Sequence, residues 1–129
     1  MSQVALTLAV LPGTYAVCRL DGAAAVPAWA TSGDFFSVTR TADELSVVCE
    51  QGVVPQGVLC EGSWRCLKVQ GPLDFSLTGI LASLAVPLAE VSISIFALST
   101  YDTDYIMVKA TDLGGAVAVL SGSGHTITL

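Results

Sequence analysis

The amino-acid sequence predicts an α+β fold, because its second half has a β-α-β-β-α-β order. Three observations carry this prediction: apolar residues that alternate with a period of two, apolar stripes that recur every three or four residues, and turn residues between them. Of the 129 residues, 53% are apolar and 12% are charged, whereas an average domain has about 25% charged residues. This composition excludes a disordered chain and a coiled coil, both of which need many charged residues.

The second half begins with a strand and a helix. Trp64–Val69 is predicted to be a strand, and the Gly-Pro pair that follows it ends the strand. Asp74 or Ser76 can cap the next helix, which Pro87 should end or kink near its last turn. The apolar stripe of this helix consists of Leu77, Ile80, Leu81, Leu84 and Leu88.

A hairpin and a second helix complete this half. Val91–Phe96 is β-branched and alternating, Ser99–Thr103 is a polar connection, and Tyr105–Val108 is the returning strand. Thr111 or Asp112 can cap the second helix, which a Ser-Gly repeat ends before a short final strand over residues 126–129. Its apolar stripe consists of Leu113, Ala116, Val117 and Leu120. The order predicts a ferredoxin-like sandwich, in which both helices cover one face of an antiparallel sheet.

The first half is richer in strands. Val4–Leu11 and Tyr15–Leu20 are predicted strands that a Pro-Gly turn separates. Ala23–Ala30 forms a short helical turn at most, because Pro27 interrupts it. Phe35–Thr39 is the next strand, and Thr41–Leu45 is predicted to be a capped single turn or short helix.

The domain boundary is predicted in the glycine-containing stretch that follows. Ser46–Cys49 is the last strand of the first half, and Gly52–Gly62 is predicted to be a loop. A weak internal repeat connects the halves, since Phe36–Val38 and Ile106–Val108 are each followed by a threonine that starts a new segment. We therefore predict a degenerate first repeat over residues 1–62, with shortened helices, and a complete second repeat over residues 63–129.

The charge balance excludes some classes of partner. Five Lys and Arg against 11 Asp and Glu give a net charge of −6, so a basic face for nucleic acid is not expected. Mean hydropathy is +0.71, yet the uncharged stretches at residues 2–18 and 75–89 are shorter than the roughly 20 apolar residues that span a bilayer. No basic segment precedes the first of them. We expect a cytoplasmic protein that buries some apolar surface against a second copy, as a homodimer.

No catalytic or metal-binding pattern is present in the sequence. Nucleophile-elbow, zinc-helix, P-loop and dinucleotide motifs are all missing. Asp102 and Asp104 have the spacing of a calcium loop, but the required Gly and Glu do not follow. The four cysteines (18, 49, 60 and 66) have no metal-ligand spacing and are predicted to be reduced and mostly buried. His125 is predicted to be structural, so we expect neither an enzyme nor a cofactor.

Several segments resemble a known family. Pro87–Glu90 and Leu98–Val108 in the second half, with Tyr15–Leu20 and Phe35–Thr41 in the first, are similar to small bacterial tandem ACT-domain proteins. That family is related to the ACT pairs of the cytosolic arginine sensors of the TOR pathway. The resemblance implies two ACT-type sandwiches, the first degenerate, and a regulatory protein that binds a free amino acid or a similar zwitterion at an ACT–ACT interface. Because the sensors have four repeats and this chain has two, such an interface would require a dimer.

The resemblance also implies which residues form the binding site. The hairpin would supply one wall of the site, with Thr100, Tyr101, Thr103 and Asp104. The opposite wall would consist of Phe75, Leu77, Thr78, Gly79 and Ile80. The chemistry suits a zwitterion, because Asp104 can bind an ammonium group and the amides that open a helix can bind a carboxylate.

The sequence also allows a second interpretation, without a ligand. From composition alone, the segment from Ser99 to Asp104 is simply a hairpin loop. The protein would then be a ligand-free structural or protein-interaction module that dimerises.

Overall fold

The structure is a computed structural model that describes residues 4–74 and 76–129. In chain order its elements are β1 (Thr7–Val10), β2 (Tyr15–Asp21), β3 (Ser37–Arg40), β4 (Glu44–Glu50), β5 (Leu59–Val69), α1 (Ile80–Glu90), β6 (Ile95–Ser99), β7 (Asp104–Lys109), α2 (Leu113–Gly122) and β8 (Thr126–Thr128). One-turn 3-10 helices cover Ala28–Thr31, Gln51–Val53 and Ala110–Asp112. These elements confirm the α+β class. None of the helices described is both long and apolar enough to cross a bilayer.

The chain divides into two compact units. One unit is Gly13–Trp64, and the other combines the chain up to Pro12 with Arg65–Leu129. The division therefore falls inside β5, two residues beyond the boundary predicted from the sequence. The structure also places β1 in the same unit as the second half of the chain, whereas the sequence predicted it to belong to the first repeat.

The unit Gly13–Trp64 is a small antiparallel sheet with short helical turns. Strand β4 pairs with β2 and with β3, and β2 also pairs with the beginning of β5. Alternate residues of β2 and β4 point to one face, where they form a core with the 3-10 turn at Ala28–Thr31. The buried residues of this core are Ala16, Cys18, Ala30, Val47 and Cys49. The helices are shortened to single turns, as the sequence predicted for this repeat.

Two local predictions in this unit were wrong. Thr41–Leu45 is not helical: the Thr41 hydroxyl accepts the N–H groups of Asp43 and Glu44, each at 3.2 Å, and so closes the turn between β3 and β4. The same threonine that could cap a helix here forms a tight turn instead. Gly52–Gly62 is only partly a loop, since β5 begins at Leu59 and pairs its first residues with β2.

The larger unit is a sandwich of one sheet and two helices. Its strands lie in the order β8-β1-β5-β7-β6, with β1 antiparallel to β5 and parallel to β8. Both helices pack on one face of this sheet, as the predicted sandwich requires. The buried core contains Leu8, Leu67, Val69, Leu84, Leu88, Ile106, Val108, Ala116 and Leu120.

Helix α1 begins later than the sequence predicted. Gly79 adopts a left-handed conformation with φ of 77° and precedes the first helical residue, Ile80, a backbone geometry that glycine adopts without a steric penalty. Leu77 therefore lies outside the helix and is half-exposed. At the other end the helix contains Pro87 in its last turn, as predicted, and ends at Glu90. Strand β6 starts at Ile95 instead of residue 91.

A histidine compensates for the proline inside α1. Pro87 has no N–H, so the carbonyl of Ser83, four residues earlier, has no helical donor. His125 Nε2 lies 3.0 Å from that carbonyl oxygen, and His125 Nδ1 accepts the backbone N–H of Leu6 at 3.1 Å. These partners assign the ring proton to Nε2. The buried histidine thus joins α1 to the chain before β1, a structural role in agreement with its interpretation from the sequence.

We predict that His125→Ala lowers the free energy of unfolding by about 1–3 kcal/mol, because it removes the partner of two backbone groups. In a Pro87→Ala background, residue 87 regains an N–H that can bind the Ser83 carbonyl, so the same histidine substitution should cost less. Urea unfolding of the four proteins of this cycle measures the coupling. Equal costs in both backgrounds would contradict the compensation.

Candidate functional site

The connection between β6 and β7 is a tight polar hairpin. Ser99 and Asp104 are register partners, and the Ser99 hydroxyl donates to Asp104 Oδ1 at 2.6 Å. Between them, the backbone N–H of Thr100 donates to the Thr103 carbonyl at 2.8 Å, and the Thr100 hydroxyl accepts the N–H of Thr103 at 3.3 Å. Hydroxyl and carboxylate side chains therefore hold the turn in one conformation, with Asp104 at its base.

Thr103 attaches this hairpin to β5. Its side chain is 4% exposed, and its hydroxyl donates to the Val69 carbonyl at 2.6 Å. The Asp102 carbonyl accepts the backbone N–H of Leu73 at 2.7 Å. At Gly71 a Cβ atom would lie 2.9 Å from that Asp102 oxygen, so glycine permits this close approach.

The segment before α1 forms the opposite wall. Asp74 Oδ1 accepts the backbone N–H of Ser76 at 2.8 Å, and the Asp74 carbonyl accepts that of Leu77 at 3.0 Å. The hydrogen bond from the Ser76 backbone lowers the pKa of the Asp74 carboxyl group and so favours its charged form. A turn followed by Gly79 and the first residues of α1 thus faces the hairpin.

A cavity of about 320 Å³, which we call the hairpin cavity, lies between these two walls. It is lined by Leu73, Asp74, Leu77, Gly79, Ile80, Leu81, Ser99, Thr100, Tyr101, Asp102, Thr103 and Asp104. Seven of the nine residues predicted from the family resemblance line it. Thr78 does not, and Phe75 lies outside the described residues.

The hairpin cavity is acidic and has an apolar rim. Asp74, Asp102 and Asp104 contribute three carboxylates, while its described lining contains no Lys or Arg. Leu77 is 52% exposed and Tyr101 81% exposed, so apolar surface is available beside the carboxylates. Such a lining suits a small cation with an aliphatic part. From the sequence, Asp74 is predicted only as a helix cap, and Asp102 matches only the spacing of a calcium loop.

A second, larger cavity of about 770 Å³ lies on the other side of the start of α1; we call it the helix cavity. Its lining is Val4, Thr78, Gly79, Ala82, Ser83, Val86, Pro87, Gly122, Ser123, Gly124 and His125. Among the described residues that line it there is no carboxylate or cationic side chain, and both ring nitrogens of its histidine have backbone partners. The smaller cavity is therefore the better candidate for a charged ligand, despite its size. The helix cavity could not be predicted from the sequence, in which its only sign is a set of small residues in α1.

The remaining chemistry of the described residues is sparse. In the ranges 4–74 and 76–129, no three or more His, Cys, Asp or Glu side chains are arranged to hold a metal ion. Cys18, Cys49 and Cys66 are free and buried, and Cys60 is free and exposed.

Comparison with known proteins gives two family-level matches. An ACT-domain model matches residues 59–122, and a separate N-terminal-domain model matches residues 13–57. A protein from Agobacterium tumefaciens with a known crystal structure is 42% identical to this chain. The two structures superimpose with a TM-score of 0.93 over 98% of this chain and 94% of the Agobacterium chain. The regulatory subunit of aspartate kinase from Thermus flavus is 10% identical with a TM-score of 0.64 over 93% of this chain and 99% of its own, which shows the fold alone.

Sequence relatives of known function are also found among animal proteins. The cytosolic arginine sensor for mTORC1 subunit 1 of Mus musculus is 33% identical over 98 residues, which are 70% of this chain and 30% of the sensor. Its counterpart from Bos taurus is 35% identical over 98 residues, 67% of this chain and 30% of the sensor. The chain thus spans about a third of the length of these relatives.

We predict that Thr103→Val lowers the free energy of unfolding by about 1–3 kcal/mol, because the Val69 carbonyl loses its buried donor. Thr103→Ser keeps the hydroxyl and should restore part of the loss. The matched control is Thr126→Val on the exposed surface of β8, where we expect a change within about 0.5 kcal/mol. Urea unfolding measures all three; a Thr103→Val protein as stable as the parent would contradict the attachment.

Proposed function

Since this chain belongs to the ACT-domain family and is related to the cytosolic arginine sensors, we propose that it is a regulatory, non-catalytic protein that binds a free amino acid in the hairpin cavity. The observation that carries the proposal is the set of three carboxylates around a cavity with no cationic lining residue among those described. This charge favours an amino acid with a basic side chain, and the related sensors are named for arginine.

Each group of such a ligand has a suitable partner in the proposed site. Asp104 binds the α-ammonium group, because a charge-assisted hydrogen bond to a carboxylate is stronger than a neutral one. The first N–H groups of α1, after Gly79, have no helical acceptor and carry partial positive charge, which suits the α-carboxylate. Asp74 and Asp102 then remain for a cationic side chain, and Tyr101 covers its aliphatic part. A volume of about 320 Å³ is at the small end of ligand cavities and suits a single amino acid.

A second copy of the chain completes the site in this proposal. The rim of the hairpin cavity includes the exposed side chains of Leu77, Leu81 and Tyr101, and covering them would remove apolar surface from water. We therefore propose a homodimer that holds the ligand at an ACT–ACT interface. We also propose that the protein is cytosolic, because the names of the related sensors describe them as cytosolic.

A thermal-shift screen of the twenty amino acids tests the function. We expect arginine or lysine to raise the melting temperature most; a ligand present at 100 times its dissociation constant adds about 2.7 kcal/mol of stability. Norleucine, which lacks the side-chain charge, is the matched negative control. If no amino acid shifts the melting temperature at millimolar concentration, the protein is a ligand-free interaction module instead.

Asp104→Asn tests the site separately from the function. The substitution keeps the size of the side chain and its oxygen for the Ser99 hydroxyl, but it removes the charge. We expect at least about tenfold weaker binding by calorimetry, which corresponds to a loss of about 1.4 kcal/mol. The control is Asp34→Asn, an exposed carboxylate outside the cavity. If Asp104→Asn binds as tightly as the parent, the ligand binds elsewhere.

Sedimentation velocity tests the dimer. We expect the fraction of dimer to rise on addition of the amino acid identified by the screen, because the ligand is shared between two copies. A protein that binds the ligand as a monomer at every concentration would contradict the shared site but not the binding.

A further inference from the structure

Three of the four cysteines lie together on one face of the unit Gly13–Trp64. Cys18 in β2 is the direct register partner of Cys60 in β5. In β4, Val47 is the register partner of Cys18, and Cys49 follows Val47 by two residues, so it points to the same face. The Cys18 thiol lies close enough to the thiols of Cys49 and Cys60 for both of them to raise its pKa.

These three thiols differ in their access to solvent. Cys18 and Cys49 are fully buried in the core of this unit, whereas Cys60 is exposed. Burial, reinforced by the neighbouring thiols, raises the pKa of Cys18 to about 12, and burial also raises the pKa of Cys49. Because the thiolate is the reactive form, a reagent in solution can react first only with Cys60.

The pairing of Cys18 with Cys60 suits a disulfide. Directly opposite residues of antiparallel strands have Cβ atoms about 4.5–5.5 Å apart, and a disulfide needs about 3.5–4.5 Å. A small approach of the two side chains is therefore sufficient. Cys49 is a diagonal neighbour of Cys18, and diagonal pairs have Cβ atoms farther apart than directly opposite pairs. Although its thiol is also near that of Cys18, a Cys18–Cys49 disulfide would therefore need a larger movement of the two strands.

We propose that Cys60 and Cys18 form a site of reversible oxidation by hydroperoxides, in which Cys60 is the reacting thiol and Cys18 the resolving thiol. The Cys60 sulfur attacks the terminal oxygen of ROOH; the O–O bond breaks, Cys60 becomes a sulfenic acid, and the thiol proton passes through solvent to the departing RO−, which leaves as ROH. The Cys18 sulfur then attacks the Cys60 sulfur, forming the S–S bond and breaking the S–O bond, and the departing hydroxide takes the Cys18 proton as water. Two thiols and ROOH thus give one disulfide, ROH and water.

Peptide mapping of the oxidised full-length chain tests this assignment. Cleavage after Arg and Lys, combined with cleavage after Glu, places the four cysteines in separate peptides: residues 1–19, 45–50, 51–61 and 66–68.

The reduced protein is treated with hydrogen peroxide, its free thiols are alkylated, and the digest is analysed without reduction. We expect peptide 1–19 linked to peptide 51–61, a fall from four free thiols to two, and full recovery with dithiothreitol. Cys66 is the internal control, since it is a buried thiol of the other unit.

Variants separate the roles of the three thiols. Cys60→Ser changes an exposed residue, and we expect it to abolish the linked peptide and leave Cys18 and Cys49 reduced. Cys49→Ala should still form the Cys18–Cys60 link. The proposal is overturned by a link from peptide 1–19 to peptide 45–50, by Cys60 disulfides between chains, by oxidation of Cys60 to sulfinic acid without any link, or by unchanged oxidation of Cys18 in Cys60→Ser.

Discussion

The hydrogen bond from the buried Thr103 hydroxyl to the Val69 carbonyl is the contact on which the candidate site depends. It holds the β6–β7 hairpin against the end of β5, at a point where Gly71 allows the two segments to approach closely. Together with the hydrogen bond from the Leu73 amide to the Asp102 carbonyl, it fixes to the sheet a turn that its internal hydrogen bonds alone would leave unattached. With this attachment, the carboxylate of Asp104 has a defined position, and the hairpin can act as one wall of a cavity.

The other wall depends on where α1 begins. The left-handed conformation of Gly79 turns the chain into the helix and leaves the first helical N–H groups at the edge of the hairpin cavity. At its far end, α1 tolerates a proline because His125 binds the carbonyl that Pro87 leaves without a helical donor. Because the same ring accepts the Leu6 amide, the position of α1 is tied to β1 as well as to the core.

The spacing of apolar residues predicted most strands and helices of the larger unit. Core residues from one strand of this unit are two positions apart, and core residues from one helix are four positions apart. This spacing could not predict that β1 inserts between β5 and β8, because strand pairing over such a sequence distance leaves no local signal. The sequence at Thr41 predicts a helix start where the structure has a turn, because one threonine hydroxyl can accept the backbone N–H groups of either structure. Seven of the nine predicted site residues line one cavity because they flank two turns that the family resemblance had identified. The carboxylates of Asp74 and Asp102 joined them only in the structure.

The central claim is that an amino acid binds between the acidic hairpin and the start of α1. Amide chemical-shift mapping of the isotope-labelled protein during titration with arginine or lysine tests it most directly, because it reports the place of binding and not only its strength. The account predicts that the largest shifts occur in residues 77–81 and 99–104 and that they saturate together. Shifts that cluster instead around Ser83, Ser123 and His125 would place the ligand in the helix cavity and contradict the account.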